Sequence, residues 1–410
     1  MAEVKEDELV EDGALPPDDF HESIERIQEV AGYDIEIPED LIERLNQAAE
    51  HLLIPAETLL SAMTALLTGH LILQGPPGTG KSSLARALCR AFNCSVLPVT
   101  ANENWSSFEV IGRQELRITK DGETIVPVNG FFTEAVVRCA SAIVRHFDEP
   151  SEPQAEWLLI DELNRSHVDK AFGELFTVLG TDELVPITLS HQAMGNRELI
   201  TPKRFRIIAT LNSIDRQFVN SLGQGLKRRF TFITIDVPSP LKSEENWSDD
   251  NVNASQASRE FLIVQRKAAE RIAKRLALGD EQKYQDHQKA LLDLLRNQSK
   301  KALEALFTLV ATVRYADAGS KAPFLPIGTA QMIDVAELFM TRAYMENAEE
   351  NQLLTLIDWA VSIKLAPLFD ADTVNVAELD DFAKALPEPF NHLTRKEIQQ
   401  IVAAGLYFVE

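Results

Sequence analysis

The sequence predicts an α/β domain built on a parallel sheet, followed by a domain made only of helices. Three observations carry that expectation. Strand-like apolar runs alternate with helix-like periods from about residue 71 to residue 237, a pattern that needs crossover connections and hence parallel strands. A glycine-rich turn stands between the first such run and the helix after it. At Pro238 the texture changes to a polar Pro/Ser/Asn stretch, and residues 257–410 then read as successive helices with no convincing strand.

Taken in order, residues 1–20 are acidic, poor in large apolar groups and carry two adjacent prolines. They are expected to form a disordered, solubilising tail, with a docking strip for a basic partner as the alternative. Residues 21–70 show three-and-four apolar spacing and read as helices, punctuated by Pro55. The α/β domain is placed at 71–237. Its expected elements are the strand Leu71–Leu73, a helix over Ser82–Phe92, the strand Ser95–Thr100 and a helix over about Thr133–His146. The strand Trp157–Ile160, a helix over about Val168–Leu179, the segment Leu184–Leu189 and its return, the strand Phe205–Thr210, another helix and the strand Phe230–Asp236 complete it. Asp121-Gly122 between two alternating runs signals a hairpin. Residues 238–256 read as a linker and 257–410 as a helical lid with C-terminal helices.

At 410 residues the chain is too long for one core and suggests about two to three domains. Apolar residues make up 45% and charged residues 25%, enough to bury such cores. The net charge is -23, of which -14 falls in the first 50 residues. Nonspecific nucleic-acid binding rests on cations that release counterions, so an independent DNA or RNA binder is disfavoured, although a locally basic channel could still thread one. Three cysteines without CxxC spacing and eight histidines without an HExxH pattern give no disulfide framework and no zinc site. No basic, then apolar, leader opens the chain, and the most apolar window, Leu52–Leu73, contains Glu57 and His70. A cytoplasmic protein with no membrane span is expected.

The chemistry concentrates in three stretches. Gly75-Pro76-Pro77-Gly78-Thr79-Gly80-Lys81-Ser82 fits GxxxxGK[ST] between a strand and a helix. Glycines let backbone N–H groups close around phosphate oxygens, Lys81 would neutralise the β- and γ-phosphates, and Ser82 would ligate Mg²⁺. With Ser83, these are the candidate nucleotide-binding residues. Trp157–Ile160 ends in Asp161 and Glu162. Asp161 would hold the Mg²⁺ shell through water, and Glu162 would orient and deprotonate the attacking water; two surface carboxylates are the plainer alternative. Ile207–Leu211 ends in Asn212, a candidate sensor of the γ-phosphate or a turn cap. Between Thr201 and Arg229 seven bases meet one acid, a band that suits either nucleic acid or a neighbouring subunit's phosphates. Trp105 falls where a pore loop could grip substrate, or packs in the core. His167 reads as a surface residue at a helix start, and Cys89 and Cys139 as core thiols.

The order GPPGTGKS, LLIDELNRS, IIATLNSIDR and GLKRRF resembles the AAA+ ATPases, over roughly residues 50–237. Within them it is similar to the helix-2-insert branch, which holds MoxR-type chaperones and McrB-type motor subunits of restriction systems. Asp161–Arg165 with Phe172–Leu175, and Asn212–Arg216, look like the McrB-type DEINR…FGEL and NTADR signatures; Ser213 and Ile214 depart. The resemblance implies a sensor role for Asn212, interface or sensor roles for Asp215 and Arg216, and an arginine-finger role for Arg228 or Arg229. It places the insert at the Asp121-Gly122 hairpin, facing a pore. It also implies ATP with Mg²⁺ and a ring, expected to be a hexamer; GTP is the alternative because some McrB-type proteins use it, and without an NKxD-type reader the sequence does not disclose the base. Three roles follow from it. The first is a motor in an McrB-like restriction or antiphage-defence system, with a separate effector or nuclease chain of McrC type and DNA contacted through the pore or that partner. The second is a MoxR-like chaperone, and the third a nucleotide-gated scaffold. With 74 residues ahead of Gly75, no methyl-base-reading domain is expected there. Gln331 stands where such lids often carry an arginine, leaving Arg314 and Arg342 as substitutes or the function absent.

Overall fold

The computed structural model describes residues 17–119, 122–179, 183–192, 197–212, 223–240, 256–294, 298–316, 322–369 and 374–406. The chain forms two compact units. One comprises the residues up to Gly75 together with Lys81–Ile235; the other comprises Pro76–Gly80 together with the chain from Asp236 onward. The division does not fall at one point in the sequence, because five residues of the glycine-rich turn group with the helical unit.

The α/β unit opens with helices α1 (Pro17–Val30), α2 (Leu41–Ala48) and α3 (Ala56–Thr68). Strand β1 (His70–Gly75) leads to α4 (Lys81–Ala91), β2 (Cys94–Thr100) and the short α5 (Ser107–Val110). Next come strands β3 (Gly112–Thr119) and β4 (Gly122–Asn129), then α6 (Phe131–Asp148), β5 (Ala155–Asp161) and α7 (Val168–Phe172). The unit ends with β6 (Ile187–Thr188), β7 (Glu198–Leu199), β8 (Ile207–Asn212), α8 (Gln224–Lys227) and β9 (Phe230–Thr234). Among the described residues, five strands make one parallel sheet in the order β2-β5-β8-β1-β9. The central strands are continuously apolar because both faces are covered: Leu71–Leu73, Trp157–Ile160 and Ile207–Ala209 are all buried. This order decides where the chemistry lies. β1 and β8 are in register with Gly75 opposite Asn212, and β8 pairs β5 with Ala209 opposite Ile160. The carboxyl ends of three adjacent strands therefore carry the glycine turn, the two carboxylates and the amide.

The hairpin β3–β4 is antiparallel and runs from Gly112 opposite Asn129 to Thr119 opposite Gly122, with Asp121 outside the described residues. Its base is tied down by Gln114, which donates to His191 O at 3.1 Å, and by Asn129 Oδ1, which bonds His191 and Gln192. One face, with Leu116 opposite Ile125 and Ile118 beyond it, is 60, 64 and 81% exposed respectively. The helix expected over Val168–Leu179 stops at Phe172, and Gly173–Thr177 continues as a 3₁₀ helix. Gly173 lowers helix propensity there.

The helical unit contains α9 (Gln256–Ala277), α10 (Glu281–Asp293), α11 (Lys300–Arg314), α12 (Thr329–Met345), α13 (Glu350–Lys364), α14 (Val376–Ala385) and α15 (Leu393–Leu406). Its core gathers Phe261, Leu306, Phe307, Met332, Phe339 and Ile357. Buried Asp358 on α13 accepts the N–H groups of Leu393 and Thr394 at 2.8 and 3.0 Å, satisfying donors that open α15. No helix among the described residues is long and apolar enough to cross a membrane.

Candidate nucleotide-binding site

β1 ends on a glycine for a packing reason as well as a chemical one. Gly75 has φ +152, and a Cβ there would stand 2.0 Å from Ile235 O. The turn that follows holds Gly78 and Gly80 at φ +76 and +90. Thr79 closes it by donating its hydroxyl to Pro76 O at 3.0 Å. Lys81 then opens α4 almost fully buried, and its Nζ donates to Gly75 O at 2.9 Å. Burial pushes the ammonium down to about 8, against the opposing pull of Asp161 and Glu162. The Lys81 ammonium thus rests on a backbone carbonyl and within the field of Asp161 and Glu162. Ser83 lies exposed on the same first turn.

Asp161 Oδ1 accepts two hydroxyls at 2.7 Å, from Ser82 on α4 and from Thr210 on β8. Thr210 Oγ1 also accepts the Glu162 N–H at 3.0 Å. Glu162 sits in the left-handed region, φ 55 and ψ 45, a conformation that costs a non-glycine residue about 1 kcal/mol or more and is found at functional turns. Its carboxylate is held by Arg165 Nε at 2.6 Å. Asn212 donates its backbone N–H to the buried Asn164 Oδ1 at 3.4 Å. Lys81, Ser82, Asp161, Glu162 and Asn212 are thus brought together. Thr210 and Asn164 join them unanticipated. Their signal was available: each is a polar residue one or two positions from a singled-out one, Thr210 in an otherwise apolar strand. Ser82 Oγ and Asp161 Oδ1 are hard oxygen donors side by side, and this pair fits Mg²⁺.

The basic band has a different fate from the one its charge suggested. Arg204 donates to Asp34 O at 2.8 Å and to Glu36 Oε1 at 2.7 Å. Arg206 takes Leu66 O and Leu67 O at 2.5 and 3.3 Å, placing its charge at the carboxyl end of α3. Arg229 donates to Phe176 O, Leu179 O and Gly225 O at 2.9, 3.2 and 3.0 Å, with its guanidinium over the Phe176 ring. These three arginines tie up their own chain and are not offered outward. Arg228, by contrast, is exposed at the mouth of a cavity of about 640 Å³ at the amino ends of β1 and β9, which Lys203, Arg206 and Arg229 also line.

Trp105 is 5% exposed and stacks 4.5 Å from Phe131, with Phe172 beyond. The pore-loop reading of Trp105 is therefore corrected: an indole in the core does not grip a substrate. Asp215 and Arg216 lie outside the described residues. Cys89 and Cys139 are buried, which pushes both thiols up to about 12. The proposed lid cations are also committed elsewhere. Arg314 is paired with Glu260, and Arg342 bonds Glu346 at 2.7 Å and lies over Trp359.

No curated protein matches the chain. A solved structure of a protein provisionally named an ATPase, from Cytophaga hutchinsonii, aligns at 13% identity over 94% of this chain and 98% of that one. Its TM-score of 0.33 adds nothing to the fold described above. Residues 70–230 match the family model of the AAA domain, dynein-related subfamily. With the strand order and the glycine turn after β1, that match identifies the fold as a P-loop AAA+ α/β core accompanied by a helical C-terminal region.

Proposed function

We propose that the protein is a nucleoside triphosphatase that hydrolyses ATP, or alternatively GTP, with Mg²⁺. It works in the cytoplasm as a ring, a hexamer, driving an McrB-like restriction or antiphage-defence system through a separate effector chain. The observation that carries the hydrolytic part is the convergence of Lys81, Ser82, Asp161 and Glu162 at the carboxyl ends of β1 and β5, the strands that flank β8. Lys81 exchanges Gly75 O for the β- and γ-phosphate oxygens. Ser82, and Asp161 through water, would hold Mg²⁺, which supplies neutralisation of phosphate charge when bound. Glu162, released from Arg165, takes the proton of a water whose oxygen bonds the γ-phosphorus while the bond to the β-phosphate oxygen breaks. Asn212 orients that water, and Arg228 from a neighbouring copy meets the charge that develops. Arg229 is less suited to that finger role because its donors already hold carbonyls of its own chain.

A second reading, remodelling of a protein client in the MoxR manner, is favoured by one observation: the exposed apolar face of Leu116, Ile118 and Ile125 on the hairpin. Mass measurement of the Glu162→Gln protein with a panel of triphosphates tests the ring and the base together. Retained nucleotide and a defined oligomer are expected; a monomer that turns nucleotide over at the wild-type rate refutes both. Stimulation of hydrolysis by DNA rather than by an unfolded protein would separate the motor from the chaperone.

A further inference from the structure

The helical unit contains a buried charge pair that the hydrolytic scheme does not use. Arg314, at the end of α11, is 3% exposed and grips Glu260 of α9, itself 0% exposed, through Nη1 at 2.7 Å and Nη2 at 3.1 Å. Arg314 Nε donates to Ile327 O at 2.8 Å, and Thr329 Oγ1 donates to Glu260 Oε1 at 2.7 Å. Two residues fully taken out of water thus fix both sides of Gly328, in a turn that has no cation of its own.

What that turn touches is the glycine-rich loop. Ala330 N–H donates to Gly78 O at 3.1 Å. Gly328 lies so close that a Cβ on it would stand 2.3 Å from Pro77 O and 2.7 Å from Gly78 O. Gln331 Oε1 meanwhile accepts the Gly328 N–H at 2.6 Å, closing the start of α12. A trans peptide is planar, with its C=O and N–H pointing in opposite directions. Pinning Gly78 O toward α12 therefore turns the Thr79 N–H away from α12, and with it one of the donors with which a phosphate loop binds.

We propose that Arg314, Glu260, Thr329 and Gly328 are positioning residues that set the orientation of the Gly78–Thr79 peptide, and through it the affinity for nucleotide. The proposal rests on reading residues 75–82 as the phosphate loop. It assigns to a backbone bond and a buried ion pair the coupling that a lid arginine would otherwise supply. Loss of the brace weakens substrate binding and leaves the chemical step alone, since none of the four residues belongs to the hydrolytic cluster on β5 and β8.

The test compares Thr329→Val, Gly328→Ala and the charge-free pair Glu260→Leu with Arg314→Met, using steady-state hydrolysis, binding of a fluorescent triphosphate and thermal unfolding. Replacing a buried ion pair by apolar groups of similar size is often neutral for stability, so the double variant separates positioning from folding. The expected result is a rise in KM and Kd of about tenfold with kcat within about twofold, the pattern left when uniform binding is removed. Wild-type KM and Kd in Thr329→Val and Gly328→Ala would overturn the proposal. If the double variant fails to fold, those two single variants decide. Lys81→Ala serves as the control: should it bind nucleotide normally, the reading of the loop itself fails, a separate outcome from failure of the brace.

Discussion

In the α/β unit Lys81 rests on a carbonyl and Asp161 on two hydroxyls, whereas in the helical unit Arg314 and Glu260 sit 3% and 0% exposed and neutralise each other. The first arrangement gathers a cation, a carboxylate and hydroxyls where β1 and β5 end; the second spends charge on holding backbone still. The Glu162–Arg165 pair belongs with the first kind, because Arg165 is 62% exposed and a solvated pair of this sort is worth little. Charge count alone does not tell these cases apart. What tells them apart is whether a charged group meets its opposite in a dry place.

The largest effects should come from breaking the first arrangement. Glu162→Gln is expected to lower turnover by about 10² to 10⁴-fold while triphosphate affinity stays within about threefold, as single-turnover assays would read. Arg228→Ala should lose about 10³-fold in kcat, with an unchanged unfolding midpoint. Arg229→Ala instead should lose about 1–3 kcal/mol of stability, because three carbonyls lose their donors. An inactive but fully stable Arg229→Ala would reverse the assignment between the two. Trp105→Ala should cost about 3–5 kcal/mol in urea unfolding, as large-to-small core changes do, whereas Ile118→Ser on the exposed hairpin face should stay within about 0.5 kcal/mol. The last effect is a matter of pH. Lys81 at about 8 lies below its unfolded value near ~10.4, so between the two the unfolded chain binds the extra proton. Stability of the nucleotide-free protein should rise across that window, by about 3 kcal/mol at most, and Lys81→Met should remove the rise. Triphosphate affinity should fall as pH passes upward through about 8.

Much of this site was legible because phosphate chemistry demands particular residue types at short spacing: GPPGTGKS, the paired acids after WLLI and the amide after IIATL are each continuous in the chain. The partners that orient them were not. Asp161 meets Ser82 across 79 residues and Thr210 across 49, and these contacts depend on a strand order that periodicity does not disclose. The arginines between Thr201 and Arg229 misled for a related reason. Whether a guanidinium is offered outward or folded onto a helix's last carbonyls depends on which helix ends nearby, as Arg206 on α3 illustrates. Trp105 was ambiguous until Phe131 and Phe172 were seen around it. Glu260 and Arg314 stand 54 positions apart on two helices, with nothing in either local pattern to link them.

Gly75 carries a warning for anyone who surveys variants of this chain. Because Ile235 O occupies the space a methyl group would need, replacing that glycine should deplete the protein from cells before any assay of hydrolysis begins. In a screen that scores abundance and turnover separately, Gly75 should fail on both counts and Glu162 on turnover alone. A dead Gly75 variant by itself therefore says nothing about phosphate.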